Sequence, residues 1–158
     1  MSKKTKFITH GAAIAALYTI LTLISNAFGL ASGVIQIRIS EALTILPVFT
    51  PAAIPGLFAG CLISNIVCGN MLPDIIFGSL ATLFGALGTF YFSKNKFTAP
   101  IFPIISNMVI IPPVLKYVYN FSGALWYFVL TVGAGEIISC GILGLLLYEG
   151  IKKRNIFS

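Results

Sequence analysis

Apolar residues fill this chain in long uncharged windows: Phe7 to Ile37, Ala42 to Pro73, Ile75 to Ser93, Phe97 to Leu115, Tyr117 to Gly135, and Ile137 to Tyr148. A helix crossing the hydrocarbon of a bilayer needs about 20 such residues, so five or six crossings fit. The window from Ala42 to Pro73 carries Pro47, Pro51 and Pro55. Proline removes a backbone donor and restricts the residue before it, so "FTPAAIPG" reads as a break. The pattern predicts one membrane domain, residues 1–158, with helices near 7–28, 40–49, 52–68, 72–92, 100–119 and 123–150. One stretch breaks the helical pattern. In "GVIQIRIS" Val34 is offset, Ile35, Ile37 and Ile39 face one way, and Gln36, Arg38 and Ser40 face the other. Period two predicts an extended segment. Ser40 follows as a candidate N-cap of the short second helix, with Glu41 in its electropositive first turn.

Composition changes the solvent. Of 158 residues, 58% are hydrophobic and only 9% charged, against about 25% charged in ordinary soluble domains. Mean hydropathy is +0.99. A soluble all-α protein is a poor reading, and the fold class expected is an all-α integral membrane bundle. The net charge of +6 sits mostly at the ends, on Lys3, Lys4 and Lys6 and on Lys152, Lys153 and Arg154. No basic face continues between them, which argues against nucleic-acid binding. The N-terminal apolar run continues past the length of a signal-peptide core, to about Phe28, and reads as a retained span. Cys61, Cys68 and Cys140 form no C-x-x-C pair and His10 is the single histidine. Metal or thiol-redox chemistry therefore has little support, and a membrane-embedded enzyme lacks its nucleophile, base or metal set.

Charge also orients the chain. Six spans put both termini on one side, together with Lys94 and Lys96 in the fourth connection. All multi-lysine clusters then share one face, which the positive-inside rule makes cytoplasmic. Five spans would separate the basic ends. The charges left over are informative: Arg38, Glu41, Asp74 and Lys116 fall toward the outer helix ends, and Glu136 about halfway along the last helix. A charge at mid-bilayer costs roughly 2.5–3.5 kcal/mol on insertion scales, and such groups face protein or a wet cavity. Interhelical ion pairs, headgroup anchoring for Lys116 and helix capping for Glu41 are the plain alternatives. In the first helix, Ala12 and Ala16 stand four apart beside Gly11 and Ala15. Small residues at that spacing admit another helix closely, from this chain or from a partner.

The run "QIRISEALTILPVFTPAAIPGLFAGCLISN", Gln36 to Asn65, followed by "DIIFGSLATLFGALGTF", Asp74 to Phe90, resembles the QueT family. That family comprises substrate-binding S-components of energy-coupling factor (ECF) transporters, assigned to uptake of queuosine precursors. The resemblance covers nearly the whole chain; the last two helices match mainly in hydropathy and length. It implies a six-transmembrane-helix bundle of S-component type in the bacterial cytoplasmic membrane, with both termini cytoplasmic. It implies as partners a transmembrane coupling subunit and two ABC ATPases, docked on the small-residue face with Ala12 and Ala16. It implies that the first outer loop, here the extended segment Leu30 to Ile39, is a lid. The chain has no G-x-x-x-x-G-K-[ST] phosphate loop, so ATP hydrolysis is expected on separate subunits, and no cofactor is expected.

The substrate implied is a 7-deazaguanine, queuine or 7-aminomethyl-7-deazaguanine. Its guanine edge offers N–H donors at positions 1 and 2 and an acceptor oxygen at position 6. A carboxylate accepts both donors as a bidentate pair, and a cation or amide donates to the oxygen. Glu136 is the candidate for the edge. Asp74 or Glu41 is the candidate for the cationic amine of the ligand. Arg38 either pairs with Glu41 to order the lid or donates to the ring oxygen. Asn65 and Asn107 are amides in apolar spans able to line the pocket or to join helices. Lys116 is a second outer cation. Tyr117, Tyr119, Trp126 and Tyr127 are candidate stacking walls, equally at home in an interfacial belt. An S-component for riboflavin, thiamine or biotin, and a solitary carrier, remain alternatives at this level.

Overall fold

The computed structural model describes residues 2–31 and 35–154. Val34 of the extended stretch lies outside these residues. Among these residues six α-helices form: α1 (Lys3–Ala27), α2 (Ala53–Val67), α3 (Leu72–Phe92), α4 (Ile101–Tyr117), α5 (Leu125–Glu136) and α6 (Gly144–Arg154). A 3₁₀ helix, Ile39–Val48, precedes α2, and a π-helical turn, Ile137–Leu143, joins α5 to α6. No strand forms among the described residues. Among the described residues, three helical stretches are long and apolar enough to cross a membrane: Lys3–Ala27, Leu72–Phe92 and the continuous Leu125–Arg154. Large apolar side chains such as Leu17 of α1, Ile66 of α2, Phe84 of α3, Val109 of α4 and Leu146 of α6 are half exposed or more. An exterior this apolar is matched to lipid, and the protein is a membrane protein.

Successive passes alternate in direction around the 3₁₀ helix. Ile39 N donates to Ser25 Oγ near the end of α1, while a Cβ on Gly11 near its start would face Ala52 O. The chain therefore returns between residues 39 and 52 through the depth α1 covers from Gly11 to Ser25, about 21 Å at an α-helical rise. Pro47 within this stretch withholds a backbone donor, and the predicted short helix forms as a 3₁₀ rather than an α helix. It is also wholly interior: Ser40 through Pro47 are buried, against α1, α2, α3, α6 and the π turn.

Ser40 does not cap this helix as expected. Arg38 occupies the cap position without a side-chain bond, and Ser40 lies inside, accepting from Thr22 Oγ1 at 2.7 Å. The buried hydroxyl is better satisfied by α1 than by an end of its own helix. The last predicted helix starts at Leu125 and carries its π turn immediately after Glu136.

Two apolar clusters hold the bundle. One joins Ile14 and Tyr18 of α1 to Leu43 and Leu46 of the 3₁₀ helix, Leu57 of α2 and Ile151 of α6. The other joins Ala81, Ile111, Leu115, Phe128 and Val132 across α3, α4 and α5. Close approach of α1 and α2 depends on glycine. A Cβ on Gly56 would come within 2.7 Å of Gly11 O, and one on Gly60 within 2.9 Å of Ala15 O. The small residues of α1 thus serve two faces: Gly11 and Ala15 turn inward to α2, whereas Ala12 and Ala16 are exposed. Lys96, between α3 and α4, pairs with Glu149 of α6, which sets that connection beside the basic end of α6.

The packing makes a stability prediction. Gly60→Val lowers the thermal midpoint in detergent, by the roughly 1–3 kcal/mol of an overpacked contact. Gly150→Ala, where a Cβ meets nothing within 4 Å, leaves it unchanged or higher. Equal midpoints for wild type and Gly60→Val would contradict the close α1–α2 crossing.

Candidate functional site

The segment entering the 3₁₀ helix is extended at Arg38, with φ −107° and ψ 109°, and is fixed from both sides. Its base closes where Ile37 N donates to Leu30 O at 2.8 Å. Ile39 N is tied to Ser25 of α1, and Arg38 N donates to Ser139 Oγ of the π turn at 3.2 Å. At Gly135 the helix presents no side chain, and a Cβ there would overlap Gln36 O. The segment therefore lies directly on the helix backbone one residue before Glu136. Gln36 and Arg38, which the alternation put on one face, then project into the bundle. Both line the same two cavities, and Arg38 Nη2 donates to Gln36 Oε1 at 3.1 Å.

The outer cavity has a volume of about 210 Å³ and is lined by Asn65, Asn70, Asp74, Tyr119 and Phe121, among others. Asp74 is 7% exposed, in the first turn of α3 behind Pro73. Tyr119 donates its hydroxyl to Asp74 Oδ2 at 2.9 Å, and Asn70 Nδ2 donates to Asn65 Oδ1 at 3.0 Å. The inner chamber is about 20 Å³, room for about one water-sized group. Glu41, Glu136, Asn107 and Thr82 line it, with Gln36 and Arg38 at its boundary with the outer cavity.

Each inner carboxylate has a partner from a different element. Tyr18 of α1 donates its hydroxyl to Glu41 Oε1. Cys140 of the π turn contacts Glu136 Oε2 at 3.0 Å. The wider π turn follows Glu136 immediately, a distortion common beside functional groups. Glu41, Glu136 and Cys140 bring ligand-type atoms within 4.8 Å of one another. The guanidinium of Arg38 shares the chamber, which disfavours an added metal cation beside it and supplies a counter-charge to the carboxylates.

The structure gathers seven of the sequence-selected residues: Arg38, Glu41, Asn65, Asp74, Asn107, Tyr119 and Glu136 all line one cavity or the other. Arg38 does not pair with Glu41. The ion pair found among the described residues is Lys96–Glu149, and Glu41 is held by Tyr18 instead. Lys116, Tyr117 and Trp126 line neither cavity. Tyr117 and Trp126 are 69% and 67% exposed, and Lys116 Nζ lies 5.8 Å from the Tyr117 ring, an arrangement suited to a membrane interface. Tyr119, not its neighbour Tyr117, faces the site.

Sequence reasoning passed over Tyr18, Thr22, Gln36, Asn70 and Gly135. A signal existed for the first two. Tyr18, Thr22 and Ser25 recur at helical spacing as a polar stripe on an otherwise apolar helix, and all three are buried. Gly135 carried no such signal, since its role depends on a segment a hundred residues away.

The chain is 38% identical over 94 residues to the Queuosine precursor transporter QueT of Lactococcus lactis subsp. cremoris (strain MG1363), over 59% of this chain and 55% of that protein. The alignment thus spans little more than half the length of that curated relative. No solved structure gives a significant match. The family model described as QueT transporter matches residues 8–153, and on that near-complete match the chain belongs to the QueT transporter family.

Proposed function

We propose that this chain is the substrate-binding S-component of an ECF-type ABC importer. It takes up a queuosine precursor, a 7-deazaguanine such as queuine or 7-aminomethyl-7-deazaguanine. ATP is hydrolysed by separate ABC subunits that act through a coupling subunit. The chain lies in the bacterial cytoplasmic membrane with six passes and both termini cytoplasmic. The alternating passes and the Lys96–Glu149 contact beside the basic end of α6 support that topology. The exposed Ala12 and Ala16 on α1 are the proposed coupling face.

The observation that carries the reading is a pair of polar cavities meeting at Gln36 and Arg38, with Asp74 in the outer one and Glu41 and Glu136 in the inner one. A flat heterocycle with a hydrogen-bonding edge at one end and an amine at the other has complementary chemistry. The base lies in the outer cavity, edge inward. Glu136 accepts from the ring N–H and the exocyclic amine as a bidentate pair. Asp74, oriented by Tyr119, holds the cationic amine, and Asn65 lines the wall. Arg38 closes the pocket from the lid side and balances the inner carboxylates. An outer cavity of 210 Å³ lies below the roughly 300–1,000 Å³ of drug-sized sites, which suits a small nucleobase.

Two measurements test this. Thermal-shift titration of the purified chain shows stabilisation by the 7-deazaguanine and none by riboflavin, thiamine or biotin. Glu136→Gln weakens that binding about 10- to 150-fold, the worth of a charge-assisted bond. Stabilisation by riboflavin alone, or unchanged affinity in Glu136→Gln, would contradict the assignment. Separately, Gly135→Ala forces the lid segment off the helix. Stopped-flow binding then shows faster ligand dissociation than wild type, and an unchanged dissociation rate would mean that seating of Gln36 on Gly135 does not retain the ligand.

A further inference from the structure

The inner chamber holds two buried polar atoms without a protein hydrogen-bond partner. They are Glu41 Oε2, an acceptor, and Asn107 Nδ2, a donor. Glu41 is 2% and Asn107 4% exposed, and both line the chamber. Glu41 is held in place by the Tyr18 hydroxyl on its other oxygen. Asn107 lies beside Glu136, but its Nδ2 completes no hydrogen bond of sound geometry. Leaving such groups unpaired costs about 1–3 kcal/mol each, and buried polar atoms ordinarily find partners. The two atoms therefore define what a guest must offer: one donor and one acceptor. At about 20 Å³ the chamber admits a polar edge and not a ring.

We propose that Glu41 and Asn107 are the specificity-determining residues of this site, reading the amino-oxo edge of the bound base. The inference rests on the 7-deazaguanine reading above and adds two contacts to it. Glu136 takes the ring N–H and one hydrogen of the 2-amino group. That leaves the second amino hydrogen and the 6-oxo oxygen. Glu41 Oε2 accepts the former and Asn107 Nδ2 donates to the latter, so every polar atom of the edge has a partner and neither orphan remains. Since Asn107 stands beside Glu136, the donor falls next to the carboxylate, as the oxygen falls next to the ring N–H. A base without the 2-amino group strands Glu41 Oε2 and halves the pair with Glu136; one without the 6-oxo oxygen strands Asn107 Nδ2 and, because its ring nitrogen then carries no hydrogen, sets a lone pair against Glu136. Sites of this kind reject such analogues strongly.

The test uses the full-length chain in lipid nanodiscs and three ligands: 7-aminomethyl-7-deazaguanine, its analogue without the 2-amino group, and its analogue without the 6-oxo group. Wild type binds the parent at least about tenfold more tightly than either analogue. Asn107→Leu loses about tenfold or more for the parent and little for the analogue without the oxygen. Glu41→Gln loses affinity for the parent and little for the analogue without the amine. A purely structural role would weaken all three ligands equally, and that result overturns the inference. Equal wild-type affinity for all three overturns it as well, without any variant having to fold, and leaves the family substrate standing. Binding of none of the three by the wild type overturns the inference together with the reading it rests on.

Discussion

Residues 39–52 return the chain through the depth that α1 covers from Gly11 to Ser25, and the 3₁₀ helix within them carries the carboxylate of Glu41 into the interior. A buried charge in an apolar bundle is costly unless other elements supply partners. Much of the structure follows from supplying them. Tyr18 reaches Glu41 from α1, Thr22 reaches Ser40, and Thr44 Oγ1 bonds Glu41 O within the 3₁₀ helix at 2.6 Å. The π turn after Glu136 brings Cys140 to that carboxylate and to Thr44. The α1 stripe and the π turn thus serve as two walls of one polar interior, and the glycines of α2 let the first wall stand close.

The fold was legible where it depends on period and charge. The uncharged windows and the proline break fall close to the helices, although α5, the π turn and α6 read as one helix, and the alternation from Ile35 to Ser40 marks an extended entry with its polar residues on one face. Less legible were features set by distance in space. Nothing local to "ISEALTILPV" says that Thr22 of α1 takes up Ser40, so the displacement of Ser40 from its capping role could not be read. The same holds for the seat of Gln36 on Gly135.

The candidate site divides in the same way. Ionisable or amide groups in apolar spans stood out because lipid tolerates them poorly, and the six brought to the cavities were chosen on that ground. Exposed Tyr117 and Trp126, candidates as aromatic walls, and half-buried Lys116, a candidate as a second cation, sit outside both cavities. Aromatic and basic residues at helix ends have two good environments, the interface and a pocket, and only the helical phase separates them. Tyr119 lies two residues beyond Tyr117 and past the end of α4, where the chain turns back over Asp74.

What emerges is a polar interior graded by size: an outer cavity of about 210 Å³ and an inner one of about 20 Å³, joined at Gln36 and Arg38. The most direct test is a structure of the chain bound to 7-aminomethyl-7-deazaguanine. The account predicts the pyrimidine edge within hydrogen-bond distance of Glu136, with the aminomethyl nitrogen beside Asp74. Ligand found in the reverse orientation, or in the apolar crevice between Ile105 and Val129, would contradict it.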